Sequence, residues 1–426
     1  MIHLSSDPNQ YWALEKLKPA ATAKSIVLTG ESDQQWQGFG GCFNEIGWDQ
    51  LSSLEASKRS QILDDLFAPD GALKFNYCRL PIGASDYALS WYSLNEVDGD
   101  YDHQNFSIDR DRNCLIPFIK EALQRRQDMT LFASPWSPPT WMKSPKAYNH
   151  GTLVQTETNL SSYADYFVRF IQAYQDEGIP IDSVHVQNEP HSDQKFPSCV
   201  WQGTEMRDFI KTYLGPAFEQ AGLDTEIWAG TIERSDFDKF ALTILSDPIC
   251  AAYVKGVGYQ WDGKGAVQRT HDAWPELPII QTENECRGGL NSWDDAEYVF
   301  NLFQHYINNG VTAYLYWNMV LQPHGTSTWG WNQNSMITVS KADGSVTYNP
   351  EYYVMKHYSH YIKPDAIRQK IKGPWAGNAV YFINPDDSRV AVVNNPLDDP
   401  QQISIDAGGS AVECTLKPHS FNTLVF

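Results

Sequence analysis

Two acidic stretches in this chain could serve one reaction. Val184-His185-Val186-Gln187-Asn188-Glu189-Pro190 is an apolar run that ends in Asn-Glu-Pro, and Leu277-Pro278-Ile279-Ile280-Gln281-Thr282-Glu283-Asn284-Glu285-Cys286 is a second short apolar run that ends in carboxylates. A carboxyl held out of water at the end of a buried strand keeps its proton to higher pH and suits a general acid. The amide of Asn188 beside it can hold a sugar hydroxyl. Taken alone, Asn-Glu-Pro reads as well as a turn with a solvated carboxylate, and Glu283 with Glu285 as a surface acidic pair. Taken together they point to glycoside hydrolysis, which needs two carboxylates flanking one bond. A separation of about 5–5.5 Å gives a covalent intermediate and retention, and about 6.5–9.5 Å gives inversion. Strand alternation would send Gln281, Glu283 and Glu285 to one face if the strand ran that far. Glu283 is nearer the apolar run and the better fixed; Glu285 is the alternative.

Other apolar runs also end in polar or aromatic groups. Arg79 lies inside Cys78-Arg79-Leu80-Pro81 and needs a buried partner, which a catalytic carboxylate or a structural ion pair would supply. Ser137-Pro138-Pro139 stiffens a loop that presents Trp136 and Trp141. Trp317 closes the run Tyr314–Asn318, ahead of a loop carrying Trp329 and Trp331. With 15 Trp and 22 Tyr in 426 residues, these rings are either sugar platforms or core filler.

To hold such groups at one rim, the chain must supply strands that end together. Eight are predicted, near 37–43, 77–81, 130–134, 183–187, 226–230, 256–260, 278–282 and 313–318. Helical patterns lie between them, such as 160–177 and 293–309. Eight strand–helix units predict an α/β fold, a (β/α)₈ barrel over residues 36–362. From 363 to 426 helix periodicity stops, and strands are predicted at 379–383, 390–394, 402–406, 412–416 and 422–426. With a strand near 24–29 in the first 35 residues, these predict a β-sandwich built from both chain ends.

The net charge of −20 argues against a nucleic-acid partner, whose phosphates need Lys and Arg, and against anionic membranes. Seven scattered cysteines without a CxxC pattern disfavour a disulfide framework and a zinc site. No stretch approaches a membrane span. The first residues carry no apolar signal core, so the sequence as written reads as cytoplasmic, or as secreted if a signal has been removed.

The strings Gly38-Phe39-Gly40-Gly41, Arg79-Leu80-Pro81, Ala133-Ser134-Pro135-Trp136-Ser137-Pro138-Pro139-Thr140-Trp141, Asn188-Glu189-Pro190, Gln281-Thr282-Glu283 and Trp317-Asn318 occur in register over nearly the whole chain. In this the chain resembles glycoside hydrolase family 30, the family of lysosomal glucosylceramidase. The resemblance implies double displacement with retention on a β-linked glycoside or oligosaccharide, with no metal and no organic cofactor. It implies Glu189 as acid/base and Glu283 as nucleophile. Asn188 matches the residue at the sugar 2-hydroxyl, Asp86, Trp136 and Trp317 match the lining of the non-reducing sugar's subsite, and Arg79 matches the arginine below the carboxylates. Two departures bear on the substrate. Tyr259-Gln260-Trp261-Asp262 replaces a His-Trp-Tyr pattern, making Tyr259 and Gln260 the expected contacts there. Thr-Glu-Asn-Glu-Cys also replaces Ser-Glu-Ala-Cys, which leaves Glu285 open. The expectation is an exo-acting β-glucosidase, with an endo-β-1,6-glucanase, a β-xylosidase or β-fucosidase, and a non-catalytic sugar-binding barrel as rivals.

Overall fold

The computed structural model describes all 426 residues. The apolar runs form eight parallel strands: Gly38–Cys42, Tyr77–Ile82, Thr130–Pro135, Ser183–His185, a fifth broken into Glu226–Trp228 and Thr231–Ile232, then Val257–Gln260, Ile279–Glu283 and Ala313–Asn318. The eighth pairs in parallel with the first, Ala313 opposite Gly38 and Tyr316 opposite Gly41, so the sheet closes into a barrel. The glycines of the first strand permit that closure. A Cβ on Gly40 would lie 1.5 Å from the Tyr77 carbonyl oxygen, so only glycine lets the first two strands approach.

The break in the fifth strand falls at Gly230, whose φ of 70° is left-handed. Its first half pairs with the fourth strand and its second half with the sixth. The fourth strand stops at His185, two residues short of expectation, and the chain beyond it rejoins the fifth at a single bridge between Asn188 and Thr231.

Helices pack outside the sheet. The one expected from residue 160 begins at Glu157, because the Thr156 side chain accepts the Asn159 N–H and caps the first turn. Trp293–Asn308 is opened by a reciprocal cap between Ser292 and Asp295.

The chain ends build the second layered unit. Its larger sheet runs in the order Gln10–Leu14, Ile2–Asp7, Ser420–Val425, Arg389–Asn395, Ala379–Ile383, Ile367–Lys372, Val27–Gln35, all antiparallel. A three-stranded sheet of Lys18–Ala20, Gln401–Asp406 and Ala411–Leu416 forms its second layer, and a small apolar cluster including Ile26, Tyr381, Ile403 and Leu424 draws side chains from both sheets. The strand expected near 24–29 runs instead from Val27 to Gln35. Strands Ile2–Asp7 and Ile367–Lys372 escaped the sequence reading because neither alternates cleanly between apolar and polar residues. Phe421 of the sandwich stacks on Trp293 and Phe300 of a barrel helix, joining the units. All seven cysteines are unpaired, and no helix is long and apolar enough to cross a membrane.

Candidate active site

The C-terminal ends of the strands meet at one rim, where barrel chemistry sits. Beyond the fourth strand, Asn188 N–H donates to the Pro135 carbonyl at 2.8 Å and Glu189 N–H to the Thr231 carbonyl at 3.2 Å. Glu189 itself has a φ of 47°, a left-handed conformation unfavourable for a side chain larger than glycine's. Anchored on both sides, this strained turn is held by its neighbours, a pattern concentrated at functional sites. Glu283 is the last residue of the seventh strand, and both carboxyls are buried.

A single side chain ties them together. Gln260 Nε2 lies 3.0 Å from Glu189 Oε1 and 3.3 Å from Glu283 Oε2. Those distances keep the two facing oxygens within about 6.3 Å of each other, just short of the about 6.5 Å at which an inverting pair begins. Arg79 lies beneath. Its Nη1 is 3.2 Å from Glu283 Oε2, and its Nη2 donates to Asn188 Oδ1 at 2.6 Å and Ser134 Oγ at 2.8 Å. The guanidinium is fully buried and would be costly there without these acceptors. It also lies 4.6 Å from the Trp136 ring centroid and 5.5 Å from that of Trp317, and the two rings stack at 5.3 Å. Trp317 Nε1 donates to Asp86 Oδ2 at 3.3 Å, which leaves Asp86 Oδ1 buried and without a partner.

The electrostatics separate the two glutamates. Burial pushes the Glu189 carboxyl well above the usual range, and the negative charges of Glu283 and Glu233 push it further. Burial also raises Glu283, but Arg79, Trp261 and Gln260 oppose the rise by stabilising its anion. Asp86 is driven well above its ordinary value by burial and then by the charge of Glu283. One carboxyl that holds its proton beside another whose charge is supported is the arrangement an acid and a nucleophile require.

Asp86, Trp136, Asn188, Glu189 and Glu283 therefore line one solvent-open cleft of about 610 Å³, and Arg79, Gln260 and Trp317 lie fully buried behind them, in contact with these residues. Two expectations need correction. Tyr259 does not face the cleft. Alternation turns it to the outside of the barrel, where its hydroxyl lies 2.6 Å from Thr270 Oγ1. Glu285 is not on the face of Glu283, because the strand ends at Glu283. Its carboxylate instead meets Lys264 Nζ at 2.7 Å and accepts from the Tyr298 hydroxyl at 2.5 Å.

The structure also adds residues to which the sequence assigned no role. Trp261, itself at a φ of 47°, donates its indole N–H to Glu283 Oε1 at 3.0 Å. Glu233, Ser192, Gln194 and Phe196 line the cleft, beside Trp331, one of the rings singled out in the sequence. Glu233 stands just past the break in the fifth strand; three residues beyond Gly230, it would have been found had the strand been extended through that glycine.

A closed parallel barrel with two buried carboxyls bridged at its C-terminal rim defines a (β/α)₈ glycosidase of the retaining kind. Residues 36–362 match the Glycosyl hydrolase family 30 TIM-barrel domain, and residues 378–424 match the Glycosyl hydrolase family 30 beta sandwich domain. The chain belongs to glycoside hydrolase family 30, whose members are retaining β-glycosidases. It is 28% identical to lysosomal acid glucosylceramidase of Mus musculus, over 88% of this chain and 78% of that protein. Its fold is similar to that of SrfJ from Salmonella typhimurium, with a TM-score of 0.91 and 25% identity over 100% of this chain and 99% of that one. It is also similar to the endo-beta1,6-glucanase BT3312, with a TM-score of 0.88 and 25% identity over 100% and 98% of the two chains.

Proposed function

We propose that this chain is an exo-acting β-glucosidase in which Glu283 is the nucleophile and Glu189 the acid/base. The observation that carries the reading is the Gln260 amide within hydrogen-bond reach of both carboxyls, which supports a pair that flanks one anomeric centre. A terminal β-glucosyl unit binds against Trp136 and Trp317, with a hydroxyl donated to the free Asp86 Oδ1. Glu283 attacks the anomeric carbon as the bond to the leaving oxygen breaks, and Glu189 gives its proton to that oxygen. In the second half, Glu189 takes a proton from water, the water oxygen attacks the anomeric carbon, and Glu283 departs as the carboxylate. Exo action is supported by the burial of Asp86 and Trp136, which line the cleft with little exposure of their own.

A second reading, an endo-β-1,6-glucanase, is favoured by the full-length likeness to BT3312. Two measurements separate them. In a panel of nitrophenyl glycosides, the exo-glucosidase reading expects β-glucoside to be turned over ahead of β-xyloside, β-fucoside and β-galactoside. On a β-1,6-glucan it expects glucose alone from the earliest times; a ladder of oligomers would overturn it in favour of the endo enzyme.

A further inference from the structure

The barrel order divides the cleft. Asp86, Trp136 and Trp317 come from the arc formed by the eighth, first, second and third strands. Glu189 and Glu283 stand on the fourth and seventh strands, flanking that arc, and the fifth and sixth strands opposite carry Glu233 and Trp261. Glu233 therefore lines the cleft on the far side of the two carboxyls from that arc, the side left for a leaving group. That carboxylate is buried. Its Oε1 accepts the His191 N–H at 3.0 Å and the Ser192 hydroxyl at 3.1 Å, while its Oε2 has no partner. His191 offers Oε2 nothing: its Nδ1 lies 3.6 Å from Oε1, and its Nε2 faces Asp236. A buried carboxylate oxygen without a donor is costly, and native proteins leave few.

We infer that Glu233 forms the leaving-group subsite, where its free oxygen accepts a hydroxyl from a second sugar, so that the substrate is a glucosyl oligosaccharide rather than a glucoside with a hydrocarbon aglycone. The inference rests on the glucosidase reading and deepens it. A sugar in this subsite supplies the missing donor, with Ser192 and Gln194 nearby as further polar partners. An alkyl chain would leave the carboxylate oxygen buried and unpaired.

The test measures kcat/KM on a β-1,6-linked glucose disaccharide, on octyl β-glucoside and on 4-nitrophenyl β-glucoside, for the wild type, Glu233→Gln and Glu233→Ala. The wild type is expected to favour the disaccharide over the octyl glucoside. Both variants are expected to lose at least about tenfold more on the disaccharide than on either other substrate, the scale of a hydrogen bond to a charged acceptor. A loss carried through the charge on Glu189 would move the pH profile and fall on every substrate alike. Equal losses at each variant's own pH optimum therefore overturn the inference and leave the glucosidase reading standing. A wild type that ignores 4-nitrophenyl β-glucoside overturns both.

Discussion

The indole N–H of Trp261 donates to Oε1 of Glu283 at 3.0 Å, on the opposite oxygen from the one that Arg79 reaches. The two donors thus support both oxygens of a carboxylate that burial would otherwise protonate, and they favour the charged form that the proposed attack requires. Trp261→Phe removes the indole donor while keeping an aromatic ring. The hydrogen bond favours the anion, so its loss raises the Glu283 pKa. The acidic limb of the kcat/KM profile should move to higher pH, with a fall of about three- to tenfold at the wild-type optimum. Profiles of the two proteins that share an acidic limb would refute the role given to Trp261.

Glu283→Ala should lower turnover of aryl β-glucosides by roughly 10⁴-fold or more, the scale seen when a nucleophile is removed. Azide occupies the space vacated on that face of the sugar, so it should restore turnover and yield the α-glucosyl azide. Glu189→Ala on an activated aryl glucoside should instead yield the β-azide, because the intermediate still forms and azide replaces water. Product anomers resolved by NMR distinguish the two roles, and an α-azide from Glu285→Ala would reverse the assignment made on the turned-away geometry of that residue.

The residues that proved legible in the sequence share a physical cause. Glu189 and Glu283 each follow a short run with apolar residues at its start, Val184 and Val186 in one and Ile279 and Ile280 in the other, so strand ends could be set to within a few residues. Arg79 was conspicuous as a charge inside such a run, and the structure supplies the carboxylate partner that its burial demands. Tyr259 and Gln260 were both assigned to the substrate, yet neighbours on a strand face opposite ways, and only Gln260 reaches the carboxyls. Glu233 lay hidden behind the glycine that breaks its strand. The terminal strand Ile2–Asp7 escaped notice because its buried face is partly polar: His3 pairs with Asn422 at 3.0 Å and the Ser5 hydroxyl donates to Glu15 at 2.9 Å, partners far away in sequence or invisible to periodicity.

Asp86 has one oxygen on Trp317 and the other buried without a partner. A substrate hydroxyl bonded to that free oxygen gives it the partner it lacks, so Asp86→Ala should lower kcat/KM on the glucoside by about three- to tenfold. Deoxy-glucosides identify the hydroxyl. Removing the contacted one costs the wild type a similar factor and costs the variant almost nothing, which a double-mutant cycle reads as coupling. Additive losses for every deoxy position would mean that Asp86 touches no sugar hydroxyl.

Beyond the cleft, Glu351 opens a barrel helix and is fully buried, accepting from the Tyr316 hydroxyl and from Asn334 Nδ2 at 3.1 Å. Burial is the main cause that lifts its carboxyl from 4.5 to about 7, and the two hydrogen bonds only partly oppose it. An acid whose folded value lies above its unfolded value gives its full stabilisation below the unfolded value and loses it as pH rises through the folded one. From pH 4.5 to above 7 this group alone should cost about 3 kcal/mol of stability. Glu351→Gln keeps the shape and one acceptor and carries no titration. Its Tm should therefore fall less than that of the wild type between pH 5 and 8, with the difference between the two proteins growing as pH rises. Thermal melts across that range decide the point: parallel Tm curves would mean that Glu351 holds its proton no more tightly in the folded protein than in the unfolded chain.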